Sequence, residues 1–496
     1  MFSPVTLRRV ACVLALACVV SVFGQGRDYR DHAVKPEGRL GEVVRALITV
    51  VNANDPAAFL AFLDEHAASG FRGLPDEQHV AVYRSIWGES RGVDYHGYRT
   101  YDPPRTEPGD VVIVKDRLAG SWRAFVIVLD SEGRIDGLQY VPARRPTDLP
   151  PPAPLPVRGA MAEIDAYVGR LAAADAFSGT VLVARNGTVL YERALGEASK
   201  RFHVPNDLDT KFNLGSMNKM FTAVAIAQLV ESGQLSFDDT LDQYVDETWL
   251  APEVSAAIRI RHLLNHTSGL GSYFTPKFFE SSRASYRALD DYKPLIVGST
   301  LAFEPGTDWR YSNTGMFLLG VVIERVTGSS YFDHVRQYIH EPAGMTNTDC
   351  YEMDRPVENL AIGYIPEYDA DGRQVWKNNL YMHVIKGGPA GGGFSTVRDL
   401  HRFDVALRSG RLVSAAMLEE LWTPRLEAHS PDYGYGFGVE TGPQGRVVGH
   451  GGGFPGLNGQ LDMFLDTGWT VAVLSNYDRG AQPVAGKIRE IIGRVE

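Results

Sequence analysis

The 496-residue sequence is poor in cysteine and in positive charge, and both deficits restrict what the chain can be. Three cysteines allow at most one disulfide and are too few for a structural zinc site. Acidic residues outnumber basic ones by 60 to 49, giving a net charge of −11. This balance argues against nucleic acid as a partner, because phosphate binding needs a basic surface. The remaining composition, 44% hydrophobic, is that of a globular chain long enough for two or three domains.

The first residues have the pattern of a secretory signal peptide. Arg8 and Arg9 precede an uncharged apolar run, residues 10–23, which is shorter than the roughly 20 residues that a membrane-spanning helix needs. We therefore expect residues 1–24 to be cleaved, with retention as an anchor as the alternative, and the protein to be periplasmic or secreted in a bacterium. No later stretch is apolar enough to span a membrane. Cys350 would remain as a buried free thiol.

A proline-rich segment, residues 146–157, predicts an extended linker between two domains, because six of its residues are proline. Residues 35–145 show helical patterns followed by short alternating runs, which predicts a small α+β domain. This domain loosely resembles nuclear-transport-factor-like or cystatin-like folds, and we expect it to bind, dock or support oligomerisation. In residues 158–496, a helical pattern over 161–174 leads into strand patterns, and strand patterns return towards the end. They predict an antiparallel sheet formed by both chain ends and packed against a mainly helical block.

The first of three chemical motifs is Ser216-Met217-Asn218-Lys219. Its spacing puts the serine and the lysine on one helical face, where the lysine could accept the serine's proton. The helix that follows is apolar nearly all round and is predicted to be buried. A lysine at the start of a buried helix is costly unless it is paired or functional. A helix-capping serine with a lysine that reaches solvent is the structural alternative.

The second and third motifs are weaker when each is taken alone. Tyr311 and Asn313 could bring a phenol and an amide into one cleft, although a tyrosine that bonds a turn is common. His450 heads the glycine run 451–453, where a backbone N–H could pair with that of Ser216 as an oxyanion hole. Gly451, Gly453 and Gly456 together satisfy the pattern Gly-x-Gly-x-x-Gly. We exclude dinucleotide binding, because a strand pattern follows where that function requires a helix.

Together, Ser-x-x-Lys, Tyr-Ser-Asn and His-x-Gly resemble motifs of the β-lactamase and penicillin-binding-protein superfamily, most closely the class C β-lactamase-related serine hydrolases. The resemblance runs from about residue 160 to the end of the chain. It implies an α+β, β-lactamase/transpeptidase-like fold and an acyl-enzyme mechanism without cofactor or metal. Ser216 would be the nucleophile, Lys219 its base and Tyr311 a second proton-transfer group. The implied substrate contacts are Asn313, His450, Gly452 and Gly453.

One departure from the family pattern concerns substrate choice. His450 stands where true β-lactamases and transpeptidases have a lysine, and a mostly neutral histidine gives a substrate carboxylate no permanent cation. This favours small esters, amides or short D-amino-acid peptides over β-lactams. A peptidoglycan D-peptidase and a weak β-lactamase remain alternatives. A non-catalytic ligand-binding protein on the same fold is the alternative from another class.

Overall fold

The computed structural model describes residues 28–105, 107–369, 373–425, 429–430 and 432–496, so the predicted signal peptide lies outside the described residues. The chain folds as two compact units. The first extends to residue 156 and includes residues 165–176 and 496, and the second contains residues 157–164 and 177–495. Among the helices of the described residues, none is both long and apolar enough to cross a membrane.

The first unit is an α+β structure whose helices precede most of its sheet. The helices are α1 Gly38–Ala53, α2 Pro56–His66, α3 Ser69–Arg72 and α4 Asp76–Ser90. The antiparallel sheet contains, in spatial order, β1 Asp28–His32, β2 Val93–Asp102, β3 Asp110–Asp116, β4 Trp122–Leu129 and β5 Ile135–Pro142. The core joins residues such as Val43 and Leu47 of α1 to Phe125 of β4. Strand β1 was not predicted, because its charged sequence has no apolar alternation. The buried ion pair Asp31–Arg99 (2.8 Å) links β1 to β2.

The second unit contains a mainly helical block and most of the strands. Its helices are α5 Val157–Ala173 (shared with the first unit), α6 Asn218–Glu231, α7 Pro252–Ala257, α8 Ile260–Leu264, α9 Pro276–Glu280, α10 Lys293–Ile296, α11 Asn313–Thr327, α12 Tyr331–Val335, α13 Glu341–Ala343, α14 Val397–Arg408, α15 Ala415–Trp422 and α16 Ala481–Ile492. Its strands are β6 Gly179–Arg185, β7 Thr188–Leu195, β8 Glu197–Ser199, β9 Val204–Pro205, β10 Phe212–Asn213, β11 Tyr364–Tyr368, β12 Gln374–Asn378, β13 Phe394–Ser395, β14 Gly438–Gly442, β15 Gly445–Phe454, β16 Leu457–Phe464 and β17 Trp469–Ser475.

The main sheet of this unit has the order β14-β15-β16-β17-β6-β7. Strand β17 pairs antiparallel with β6, for example at Val473↔Val181, so both ends of the unit build one sheet, as the sequence predicts. Helices α6 and α11 belong to the helical core, where Val224 and Leu319 are fully buried. The chain ends in α16, which the sequence analysis did not predict. Its apolar face, including Val484 and Ile488, is buried.

Strand β15 is longer than its sequence predicts. The alternating apolar pattern stops at Gly449, but β15 continues through the glycine run and pairs with β16 as far as Phe454↔Leu457. Pairing with the apolar strand β16 overrides the poor strand propensity of glycine. On its other side, β15 pairs with β14 only as far as Gly438↔Gly449. The edge at residues 450–454 therefore extends beyond β14.

Candidate active site

Ser216 lies in a 3-10 turn, Gly215–Met217, that runs directly into α6. It is the one residue between positions 212 and 227 that is not buried. Gly215 has a φ of 51°, in the left-handed region that favours glycine. The fold thus places a serine at the start of a buried helix and leaves it accessible.

The glycine edge of β15 packs against this turn. A Cβ on Gly452 would lie 1.9 Å from the carbonyl oxygen of Leu214, and a Cβ on Gly215 would lie 2.8 Å from the backbone nitrogen of Gly453. Side chains at these positions would force the two segments apart. Their absence brings the backbone of Gly453 beside that of Ser216, as two N–H donors of an oxyanion hole require.

A second glycine-rich segment, residues 387–393, holds the turn from another side. The N–H of Gly392 donates to the Gly215 carbonyl at 3.1 Å, and the N–H of Leu214 donates to the Gly393 carbonyl at 2.7 Å. The Asn218 side chain accepts from the N–H of Gly393 at 3.1 Å. Its amide nitrogen lies 3.6 Å from the sulfur of Cys350, which is the buried free thiol that the sequence predicts.

Lys219 is fully buried. Its Nζ donates to the carbonyl oxygen of Ala390 at 2.6 Å and to Oδ1 of Asn313 at 3.0 Å. It also lies 4.9 Å from the centre of the Tyr311 ring. The structure therefore brings Lys219 of α6 together with Asn313, the first residue of α11, and with Tyr311, which precedes that helix. The Ala390 carbonyl and the Asn313 side chain, which accept from the lysine amine, are both neutral.

Asn313 is the first residue of α11, and the residue before it fixes the surrounding loop. The Ser312 hydroxyl accepts from the N–H of Gly315 at 2.8 Å and donates to the carbonyl of Gly271 at 2.9 Å. The Asn313 amide nitrogen donates to the hydroxyl of Ser272 at 3.2 Å. Helix capping thus ties the start of α11 to residues 271–272.

Two rings, those of His266 and Tyr433, link Tyr311 to His450. The His266 ring lies between the rings of Tyr311 (centroid distance 4.3 Å) and Tyr433 (4.8 Å). The Tyr433 hydroxyl is 3.0 Å from Nε2 of His450, whose Nδ1 contacts the carbonyl oxygen of Gly451. A carbonyl can only accept, so we assign the proton to Nδ1 and let Nε2 accept from Tyr433.

Both histidines in this group are neutral at working pH. Burial lowers the pKa of His450 to about 3. Burial also lowers the pKa of His266 well below its usual range. His266 accepts from the N–H of Ser312 at 3.2 Å through Nδ1, which places its own proton on Nε2.

The sequence model of the family described as Beta-lactamase matches residues 164–494. The chain belongs to this Beta-lactamase family. It is 34% identical to Penicillin-binding protein 4* of Bacillus subtilis (strain 168) over 322 residues, which are 62% of this chain and 69% of that protein. It is 32% identical to Esterase EstB of Burkholderia gladioli over 198 residues, 37% of this chain and 49% of the esterase. It also resembles the crystal structure of a D-stereospecific amidohydrolase from Streptomyces sp., at 28% identity and a TM-score of 0.53, with coverage of 66% and 96%.

These similarities confirm the predicted superfamily, its α+β fold and a serine hydrolase of the Beta-lactamase family. Within this family member, the three sequence motifs meet at the turn Gly215–Met217, which we call the nucleophile turn because it carries the predicted nucleophile Ser216. The sequence analysis did not predict four further participants in the site, namely His266, Tyr433, Ser272 and the Ala390 carbonyl. Tyr433 opens the aromatic and glycine repeat Tyr433-Gly-Tyr-Gly-Phe-Gly, which was the available signal. A backbone carbonyl such as that of Ala390 leaves no signal in residue type.

Proposed function

We propose that the protein is an exported serine hydrolase that acts through an acyl-enzyme on small esters, amides or short D-amino-acid peptides. The observation that carries this proposal is the buried Lys219, one turn after the accessible Ser216, with two neutral acceptors at its Nζ. Burying a positive charge against neutral groups is costly. A neutral amine can donate both of its protons to these acceptors and keep its lone pair for the serine proton.

In the acylation step, Oγ of Ser216 attacks the substrate carbonyl carbon and Lys219 takes the hydroxyl proton. The backbone N–H groups of Ser216 and Gly453 bind the oxyanion that forms. The intermediate collapses, the ester or amide bond breaks, and the leaving alcohol or amine takes up a proton through Tyr311. In deacylation, Tyr311 with Lys219 removes a proton from the attacking water, and Ser216 recovers its own.

The state of His450 supports the choice of substrate. A neutral imidazole whose two nitrogens contact Tyr433 and Gly451 supplies no cation for a carboxylate. The similarity to an esterase and to a D-stereospecific amidohydrolase supports ester and amide substrates. The similarity to Penicillin-binding protein 4* makes a peptidoglycan-directed D-peptidase the second candidate, and a weak β-lactamase ranks behind it.

Labelling with a fluorophosphonate and hydrolysis of p-nitrophenyl esters test the proposal together. We expect the wild type to label at Ser216 and to turn over a short-chain ester. Ser216→Ala should lose labelling and at least about 10³-fold in turnover, because the covalent step has no substitute. Ser236→Ala, which alters a turn serine elsewhere in the unit, is the control and should keep both. A wild type that never labels would support the non-catalytic alternative.

A further inference from the structure

Three phenylalanines form an exposed aromatic cluster beside the proposed oxyanion hole, and we call Phe274, Phe279 and Phe454 the aromatic shelf. The Phe274 ring lies 6.0 Å from that of Phe454 and 6.3 Å from that of Phe279. Phe279 is 57% exposed, and the other two are half-buried. Phe454 directly follows Gly453. Exposed apolar surface of this kind is typical of a binding site.

Contacts connect the shelf to the nucleophile by two routes. In the first route, the Lys219 amine donates a hydrogen bond to Asn313 at 3.0 Å, and the Asn313 amide donates one to Ser272 at 3.2 Å. Ser272 lies two residues before Phe274. By the second, the backbone of Gly453 approaches Gly215, next to Ser216, and leads directly to Phe454. The two routes meet where Phe274 and Phe454 pack together. The shelf therefore lies beside the proposed catalytic groups.

The shelf is held in place by polar contacts to its backbone. The Arg283 guanidinium donates to the carbonyls of Phe278, Phe279 and Met382, the last two at 3.1 Å each. The Asn379 amide donates to the carbonyl of Pro455 at 3.0 Å, one residue beyond Phe454. A surface fixed before the ligand arrives costs less ordering entropy on binding.

The edge of β15 runs from the ring group that contains Tyr311 to the shelf. His450, joined to Tyr433, His266 and Tyr311, stands at one end of this edge, and Phe454 stands at the other. Five residues of extended strand place these ends about 13 Å apart. The leaving group takes its proton at the Tyr311 end, so the acyl group extends towards the shelf.

We infer that the aromatic shelf binds an aryl or bulky apolar group on the acyl part of the substrate, an inference that rests on the proposed function. The faces of Phe274 and Phe454 can stack on an aryl ring, which aliphatic side chains cannot do equally well. The natural substrate class is then an ester or amide of an aryl-bearing or bulky acid.

The test compares p-nitrophenyl phenylacetate with p-nitrophenyl acetate, which share one leaving group. We expect the wild type to have the higher kcat/KM on the phenylacetate. Phe274→Ala, Phe454→Ala and the more exposed Phe279→Ala should each lower the phenylacetate-to-acetate ratio of kcat/KM, by about 3- to 10-fold at the two central rings. Phe202→Ala removes a ring that is 68% exposed and lies beside Arg201, and it should leave the ratio unchanged.

A wild type without a phenylacetate preference, or variants that lose both rates equally, would overturn the inference while leaving the proposed function intact. The inference would also be overturned if the variants lost the phenylacetate preference only on esters with an aryl leaving group, because the shelf would then contact the leaving group. Calorimetry on Ser216→Ala with the methyl esters of N-phenylacetylglycine and N-acetylglycine measures the same selectivity without turnover. Tighter binding of the phenylacetyl compound, lost in Ser216→Ala/Phe454→Ala, is expected even if the hydrolytic proposal fails. Equal binding of the two compounds would contradict the shelf.

Discussion

At the scale of single residues, Lys219 and His450 have different surroundings, and these surroundings favour different roles for the two residues. Lys219 is buried one turn from the nucleophile, against the Ala390 carbonyl and the Asn313 amide. His450 is neutral and bonded to Tyr433. The lysine is thus placed for proton transfer to and from Ser216, and the histidine is placed to shape the edge of the cleft.

The first prediction tests whether Lys219 must lose its proton. Lys219→Arg keeps a positive charge but cannot deprotonate, so in a variant that circular dichroism shows to be folded it should be nearly as damaging as Lys219→Ala, with kcat/KM on a neutral ester lowered by about 10²-fold or more. Lys487→Arg, at a lysine paired with Glu490 at 2.9 Å, should retain activity. Substantial turnover by Lys219→Arg would show that the role of the lysine is electrostatic.

The second prediction concerns the pH dependence of substrate choice. Because the pKa of His450 is about 3, the residue carries no charge between pH 5 and 8. Its charge therefore cannot change the binding of an anionic substrate in this range. The ratio of kcat/KM for a carboxylate-bearing ester to that for a neutral ester should therefore show no step in the histidine range. A ratio that falls as pH rises from 6 to 7 in the wild type, but not in His450→Ala, would contradict this.

The third prediction adds the cation that His450 lacks. His450→Lys should raise turnover of a cephalosporin, whose carboxylate gains a partner, relative to turnover of a neutral ester. Both rates are measured in one preparation, with ester turnover reporting that the variant is folded. No relative gain on the cephalosporin would place the restriction on lactams elsewhere in the cleft.

At the scale of elements, the nucleophile turn is held between two backbone segments that lack side chains. The edge of β15 approaches from one side and residues 387–393 approach from another, through Gly452 and Gly392 respectively. A Cβ on Gly452 would lie 1.9 Å from the Leu214 carbonyl oxygen, and a Cβ on Gly391 would lie 2.8 Å from the Gly215 carbonyl oxygen, so both approaches are closer than a Cβ would allow. Accordingly, the glycines serve primarily to bring protein backbone against protein backbone and so to place the N–H of Gly453 near Ser216.

The fourth prediction tests this packing with two glycines in neighbouring strands. Gly452→Ala would put a Cβ 1.9 Å from the Leu214 carbonyl, so we expect the turn to shift and kcat/KM on a neutral ester to fall by about 10²-fold or more. Gly442→Ala is the matched control, because a Cβ there meets nothing within 4 Å. Equal activity of the two variants would contradict the role given to Gly452, and circular dichroism would report whether each is folded.

What the sequence could predict depended on whether the signal was local. Apolar runs between turn residues predict strands over 110–116, 122–129 and 179–185, and these are the bounds of β3, β4 and β6 in the structure. The course of β15 beyond Gly449 depends on its partner β16, and no local pattern in a glycine run encodes that partner. Tyr433 reaches the site only because the fold brings it to His450 and His266. The Ser-x-x-Lys pair could be predicted because both residues lie on one turn.

At the scale of the whole molecule, the proposed catalytic groups of the second unit come from segments far apart in the chain. Ser216 and Lys219 begin α6, Tyr311 precedes α11, and Gly453 lies in β15, whose sheet is completed by the pairing of β17 with β6. Such long-range pairing must be in place before the site exists. Activity should therefore be lost together with the global structure of this unit.

The last prediction concerns the stability of the whole chain against acid. Burial lowers the pKa values of His262 and His340 to about 4 and that of His450 to about 3, whereas a histidine in an unfolded chain titrates near 6.5. As pH falls below about 6.5, the unfolded state binds protons that the folded state does not, so the free energy of unfolding falls, by up to about 1.4 kcal/mol per pH unit for each such histidine.

Urea midpoints at pH 7.5, 6.0 and 5.0 should decrease in that order. His340→Phe, which keeps a ring against Phe221, should flatten the dependence, and a change at the exposed His203, His203→Asn, should not. Midpoints that rise or stay constant towards pH 5 would show that these buried histidines do not govern acid stability.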